Sequence, residues 1–212
     1  MKIKTEENLI LDFNELIAKF VKLFHKANMK RLLSISIFVL ASTLGFAQYN
    51  HVQMAPNGTM TEQGQYNADP VITANDSKET IAQKMAAVHK IGTWTYWYES
   101  GVKLSEEQYT NTGMPTGTWK TWHSNGQLSS EINYATGTAV YYHPNGAKAE
   151  EGTMNMYNER TGVWKGWHEN GKLNYTGSFT SSGQKTGVWQ YYDDNEQIVG
   201  TEHWNNGVMQ NN

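Results

Sequence analysis

The sequence predicts an all-β protein: an elongated antiparallel sheet of stacked β-hairpin repeats. Three observations predict it. A short motif recurs at Gly92-Thr-Trp94, Gly117-Thr-Trp119, Gly137-Thr-Ala139, Gly162-Val-Trp164 and Gly187-Val-Trp189, with spacings of 25, 20, 25 and 25 residues. A second glycine follows nine positions later at Gly101, Gly126, Gly146 and Gly171, with Glu196 in its place in the fifth copy. Asn-Gly pairs then separate aromatic or β-branched runs, as at Asn125-Gly126, Asn145-Gly146 and Asn170-Gly171. A fixed period in this range signifies stacked supersecondary units, and Asn-Gly between such runs is a strong hairpin signal.

The chain opens on an amphipathic extension, residues 1–28, in which Leu9, Phe13, Leu16, Ile17, Phe20 and Phe24 lie beside Lys19, Lys22 and Lys26. It reads either as a membrane-surface helix or as residues ahead of a true start at Met29; the second is preferred. Residues 29–47 read as a signal peptide with a helical core. Met29-Lys30-Arg31 is its basic start, Leu32 to Phe46 its 15-residue apolar run, and Gly45 and Ala47 its small residues. Cleavage is expected between Ala47 and Gln48, giving an exported protein of the periplasm, envelope or medium. The run is shorter than the roughly 20 residues of a spanning helix. Membrane contact is expected only through this peptide or an uncleaved N-terminal helix.

Residues 48–91 read as a half repeat plus a helical insert. Asn57-Gly58 through Gly64 and Tyr66 matches Asn170-Gly171 through Gly177 and Phe179 in register. One short helix is expected near residues 77–90: Asp76-Ser77 can cap it, and Ile81, Met85 and Val88 share a side that would pack on the sheet or its end. Residues 92–212 hold the five hairpins.

Side chains alternate between the faces of a strand. If Asn170-Gly171 is a two-residue type I′ loop, His168 pairs with Leu173 and Gly166 with Tyr175. One face then carries Trp94, Trp119, Trp164 and Trp189, with Ala139 as a gap, together with Tyr96, Tyr141, Tyr191, His168, Leu173, Tyr175 and Phe179. The other carries a separate aromatic strip: Trp97, Trp122, Tyr142, Trp167 and Tyr192. An aligned strip on an otherwise polar face is the candidate binding surface. Leu104 is one place out of step with Leu128 and Leu173, so the first copy is expected to differ in turn or register.

Composition narrows the function classes. The chain has 17 basic and 20 acidic residues; the first 47 residues hold 7 and 4, which leaves a net charge of −6 for the rest. No basic stripe offers itself to nucleic acid. There is no cysteine, hence no disulfide, thiol nucleophile or thiolate metal site. His123, His143 and His168 occupy one repeat position, but hairpin-to-hairpin spacing of roughly 9.5 Å keeps them apart for a shared ion. The acidic pairs Glu106-Glu107 and Glu150-Glu151 put neighbours on opposite faces, so neither forms a catalytic dyad. No enzyme, cofactor or metal site is expected.

The segment Tyr175-Thr-Gly177-Ser-Phe179, followed by Gly183-Gln-Lys-Thr-Gly187-Val-Trp189, resembles the MORN repeat, whose pattern is Tyr-x-Gly-x-aromatic and then spaced glycines. The longer unit, Gly-x-Trp-x-x-aromatic with Asn-Gly and a hydrophobic residue after it, is similar to the MORN variant of bacterial YwqK-type antitoxin proteins. The resemblance spans about residues 92–209 and the half copy at 57–66; Ala139 and Glu196 depart from it. It implies a MORN-like fold and non-enzymatic protein–protein or membrane-proximal scaffolding, with a toxin-like protein as one partner. Aromatic hairpin repeats also suit an alternative, a cell-surface module that holds glycan or choline-type ligands through ring faces.

Overall fold

The computed structural model describes residues 39–41 and 48–210. They form one open antiparallel sheet whose strands lie side by side in chain order. Strand β1 (Val39–Ala41) pairs with β2 (Gln48–Met54), which pairs with β3 (Met60–Tyr66). The helix α1 (Lys78–Ala86) intervenes before β4 (Lys90–Trp97). Then follow β5 (Lys103–Tyr109), β6 (Pro115–Trp122), β7 (Leu128–Asn133), β8 (Thr138–Tyr142) and β9 (Lys148–Met154). Strands β10 (Arg160–Trp167), β11 (Leu173–Phe179), β12 (Lys185–Tyr192), β13 (Ile198–Asn205) and β14 (Val208–Gln210) complete the sheet. The all-β repeat sheet is therefore as the sequence predicts. The expected signal helix lies outside the described residues except for Val39–Ala41, which are extended. No helix among the described residues is long and apolar enough to cross a membrane.

The hairpin turns differ from the expected type I′ form. The Gly171 N–H donates to the His168 carbonyl (2.9 Å) and the His168 N–H to the Lys172 carbonyl (2.8 Å). This is a type I turn closed by a glycine in the left-handed region. Gly58, Gly101, Gly126, Gly146 and Gly171 all sit there, at φ of 82–85°. The asparagine before Gly58, Gly126, Gly146 and Gly171 has ordinary φ and works through its side chain, as where the Asn170 carboxamide oxygen accepts the Lys172 N–H (3.0 Å); Gly101 follows Ser100 instead. Asn206-Gly207 is the pair in which both residues have positive φ, and it makes the tight β13–β14 turn. In the fifth copy Glu196 takes the glycine's place at φ 61°, with the same turn hydrogen bonds.

The longer loop moves the register. Gly166 pairs with Tyr175 as expected, but a bulge places Leu173 opposite Trp167, not His168. Leu128 likewise faces Trp122. Leu173 therefore joins the strip face, a correction to the two-residue-loop reading. The first copy keeps the same register, because Lys103 faces Trp97 and Leu104 is the bulged residue.

A second irregularity builds the core. Where one hairpin meets the next, three residues on the incoming strand oppose one on the outgoing strand. Gly162, Val163 and Trp164 face Gly152; Gly187, Val188 and Trp189 face Gly177; residues 92–94 face Gly64; residues 117–119 face Glu107. The extra residues tip the tryptophan ring flat over the opposing residue. Trp94 and Trp164 are 0% exposed and Trp189 3%. Each indole N–H donates to the next carbonyl along: Trp94 to Gln65 (3.0 Å), Trp119 to Gln108 (2.9 Å), Trp164 to Thr153 (3.1 Å) and Trp189 to Ser178 (3.2 Å). The third junction has a connection shorter by five residues, an unbroken β7–β8 register and Ala139 instead of tryptophan.

The half copy folds as a whole hairpin, with β2 pairing along β3 and His51 opposite Gly64. His51 stacks on Trp94 at 5.5 Å. Helix α1 is capped by Ser77, whose hydroxyl accepts the Thr80 N–H (3.2 Å). None of its residues is buried; Ile81, Met85 and Val88 are half-buried. The Asp76–Lys84 ion pair at 2.8 Å ties it to the segment before its cap. The excursion closes at its neck, where Asn67 and His89 exchange hydrogen bonds of 3.1 and 2.8 Å.

Two substitutions separate these features in chemical unfolding. A Cβ at Gly177 would stand 2.1 Å from the Trp189 ring, so Gly177→Ala is expected to destabilise by about 3 kcal/mol. Glu196→Gly relieves a left-handed non-glycine residue and is expected to stabilise by roughly 1 kcal/mol. Equal tolerance of both changes would contradict the assignment of ring seat and turn.

Candidate functional site

The two faces of the sheet divide the aromatic residues into a committed set and an available one. On the Trp94 face, three indoles carry a basic side chain from four positions earlier. Lys90 Nζ stands 4.6 Å from the Trp94 ring centre, Arg160 Cζ 4.2 Å from Trp164, and Lys185 Nζ 4.2 Å from Trp189. Lys185 also lies 4.9 Å from Trp204 and donates to the Tyr191 hydroxyl (3.0 Å) and toward Glu202 (3.4 Å). Arg160 pairs with Glu150 and donates to the Tyr175 hydroxyl (3.3 Å). Sequence reasoning missed these cations, although the signal, a basic residue four before the tryptophan, was present in three copies.

Burial tunes the phenols of this face. It pushes the Tyr175 hydroxyl up to about 12, helped by the Glu150 carboxylate, which accepts its proton at 3.0 Å. Tyr66 is likewise pushed up to about 12 by burial and then by Glu62. Tyr96 and Tyr109 move in the same direction, chiefly through burial and then through Glu107.

The other face carries the predicted strip. Trp97, Trp122, Tyr142, Trp167 and Tyr192 all fall in one cross-strand row, each half-exposed. Their paired neighbours are Lys103, Leu128, Lys148, Leu173 and Ile198 in that order. The row therefore alternates rings with lysine or aliphatic side chains. Lys103 Nζ lies 4.9 Å from the Trp122 ring and Lys148 Nζ 5.2 Å from Trp167. Each also meets a carboxylate, Glu106 at 3.0 Å and Glu151 at 2.7 Å. These resident ammonium groups leave less open ring face for a cationic ligand than the sequence alone suggests. Beside the strip runs a polar row in which Lys120 pairs with Glu131 at 2.9 Å.

The turn ends fix the strip in line. Nε2 of His123, His143 and His168 lies 2.8, 2.8 and 2.9 Å from the carbonyl oxygens of Tyr142, Trp167 and Tyr192. A carbonyl only accepts, so Nε2 carries the proton. The Tyr98 hydroxyl donates to the Trp122 carbonyl in the same way (3.0 Å). Each bond reaches from one turn to the backbone of the next hairpin's strip residue. Asn125 and Asn145 add a second ladder to Pro144 and Glu169 (2.8 and 3.0 Å). The histidine column is thus a set of inter-hairpin staples. Among the described residues no three metal-ligating side chains converge.

Residues 90–111, 115–136, 160–180 and 185–206 match the family model of the MORN repeat variant. These four segments begin with β4, β6, β10 and β12, the strands whose three-against-one irregularity seats a tryptophan. The unmatched copy begins with β8, which lacks it, and the β2–β3 hairpin is unmatched although it folds alike. No curated protein matches the chain.

The raised phenols set an alkaline limit. Their folded values exceed the unfolded value of about 10, so the stability they contribute is intact below about pH 10 and is lost as pH rises through 12. Thermal unfolding across that window, read with tyrosinate absorbance, is expected to show unfolding and ionisation together, and Tyr175→Phe to lessen the loss. Phenols that ionise in the intact fold at ordinary pH would refute this.

Proposed function

We propose that the protein is an exported, non-enzymatic repeat scaffold that presents the strip Trp97, Trp122, Tyr142, Trp167 and Tyr192 to a protein partner. The observation that carries this reading is the division of labour between faces. The buried indoles hold successive hairpins together. The strip rings lie half-exposed and in register, and four of them, Trp122, Tyr142, Trp167 and Tyr192, are stapled through their own carbonyls by the preceding turns. Tryptophan and tyrosine dominate binding hot spots because a rigid amphipathic ring gains much contact area for little lost freedom. Lysine and aliphatic neighbours supply the remaining contacts.

The resemblance of the repeat to YwqK-type antitoxin proteins supports a finer version, in which the partner is toxin-like and is held inactive by the strip. Export supports a partner in the periplasm, the envelope or the medium. The apolar run from Leu32 to Phe46, followed by Ala47, motivates this location.

Two experiments test the proposal. Trp122→Ala with Trp167→Ala is expected to abolish capture of the partner while circular dichroism and the unfolding midpoint stay near those of the parent. Undiminished capture would reject the strip as the interface. N-terminal sequencing of the exported protein is expected to begin at Gln48; a mature end well upstream would reject the removed-signal reading.

A further inference from the structure

We infer that Asn206 is a site of spontaneous deamidation, and that its conversion to isoaspartate frees the outermost strand, β14. The chain has five Asn-Gly pairs: Asn57-Gly58, Asn125-Gly126, Asn145-Gly146, Asn170-Gly171 and Asn206-Gly207. In such a pair no side chain on the glycine obstructs attack by its backbone nitrogen on the asparagine Cγ. The new C–N bond closes a succinimide ring. The glycine nitrogen gives up its proton, and the carboxamide nitrogen leaves as ammonia. Water then opens the ring at either carbonyl, which leaves aspartate or isoaspartate. The reaction needs a carboxamide that can turn and a glycine nitrogen that can come free.

Four of the pairs are held against it. The carboxamide oxygens of Asn57, Asn125, Asn145 and Asn170 accept the N–H two residues on, at 2.9–3.0 Å. Their amide nitrogens donate to the next hairpin. Asn57, Asn125 and Asn145 reach the carbonyls of Glu99, Pro144 and Glu169 at 3.1, 2.8 and 3.0 Å, and Asn170 reaches the Asp194 carboxylate at 3.3 Å. Each carboxamide is therefore pinned at both ends. The glycine N–H that follows donates within its own turn, at 2.8–2.9 Å.

Asn206 is placed differently. It is exposed, and its side chain makes no hydrogen bond among the described residues. The Gly207 N–H donates to the Lys185 carbonyl at 2.9 Å, a bond at the rim of the sheet. Strand β14 pairs with β13 through three residue pairs, and Val208, Met209 and Gln210 are all exposed. A strand with so little buried area opens locally at small cost. Opening frees the Gly207 nitrogen, and the carboxamide is free already. Isoaspartate then routes the main chain through the side-chain methylene and adds a carboxylate. The tight turn depends on positive φ at Asn206 and Gly207, which that longer backbone does not reproduce. The pairs His203–Gln210, Trp204–Met209 and Asn205–Val208 lose their register, and β13 becomes the edge.

The test incubates the folded chain at mildly alkaline pH and follows each Asn-Gly peptide by chromatography and mass spectrometry. Asn206 is expected to convert on the order of tenfold faster than Asn57, Asn125, Asn145 or Asn170. In urea all of the pairs are expected to convert at similar rates, because the pinning bonds are gone. A different asparagine leading in the folded chain, or equal rates there, would overturn the assignment. Four pairs that stay slow in urea would overturn it too, since the hairpins would then not be what protects them. Hydrogen exchange of the β14 amides is expected to quicken in the isoaspartyl product, and unchanged protection would overturn the release of that strand. No step uses a substitution, so no variant has to fold.

Discussion

The structure depends on one contact made four times: an indole laid over a residue of the preceding strand, with its N–H given to the following carbonyl. A single-layer sheet has no opposing layer against which to bury apolar side chains, and two packed layers are the usual solution. Here the three-against-one irregularity bends each incoming strand so that its own ring becomes the missing layer. Glycine is the natural seat because any Cβ would enter the ring. At Gly64, Gly152 and Gly177 that atom would come within 2.1–2.3 Å of an indole carbon. The carbonyl left at the register break would cost free energy if buried and unpaired. The indole satisfies it and thereby fixes its own orientation. Seat, ring and hydrogen bond occur together at three junctions, which explains why glycine and tryptophan recur together in the sequence; at the fourth, Trp119 keeps the hydrogen bond over Glu107.

The basic side chains over those rings extend the same logic. Lysine and arginine lay apolar stems across a surface while their charged ends remain near water. Over Trp94, Trp164 and Trp189 they complete a cover of one side chain's thickness, and carboxylates and phenols at its margin receive the charge. That face satisfies its own rings and charges, whereas the rings of the opposite face stay half-exposed. The helical excursion shows how local the arrangement is. The neck between Asn67 and His89 returns the chain to the start of β4 as a short connection would, and long insertions add little closure entropy. The repeat continues undisturbed on the far side.

Much of this was legible in the sequence, because the repeat period, the turn glycines and the tryptophans are each demanded by backbone geometry. The strip residues were legible for the same reason: strand alternation fixes which face Trp122 or Trp167 occupies relative to Trp119 or Trp164. What the sequence concealed lay in loop length. Asn-Gly supports a two-residue or a longer loop, and the choice shifts Leu173 and Leu128 to the strip face. The first hairpin was half hidden because His51, in place of tryptophan, pairs with Gly64 there. The cation over each indole went unread because Lys90, Arg160 and Lys185 begin their strands, where a basic residue looks like ordinary solvent exposure.

The seat, ring and cover also show where the array is weakest. A linear repeat sheet is held by neighbour-to-neighbour terms, so a poor junction is not rescued by distant strands. Around β6 to β8 the terms thin out together. Trp119 rests against Glu107 instead of glycine and has Pro115 where a cation stands elsewhere. The next junction has Ala139 in place of an indole, and β8 is only five residues long. On either side lie complete units, Trp94 with Gly64 and Lys90, and Trp164 and Trp189 with Gly152, Gly177, Arg160 and Lys185. Local opening follows the least buried apolar area, so it begins at the centre of this sheet, between two well-sealed blocks. The ring there is Trp119, half-buried where Trp94, Trp164 and Trp189 are sealed.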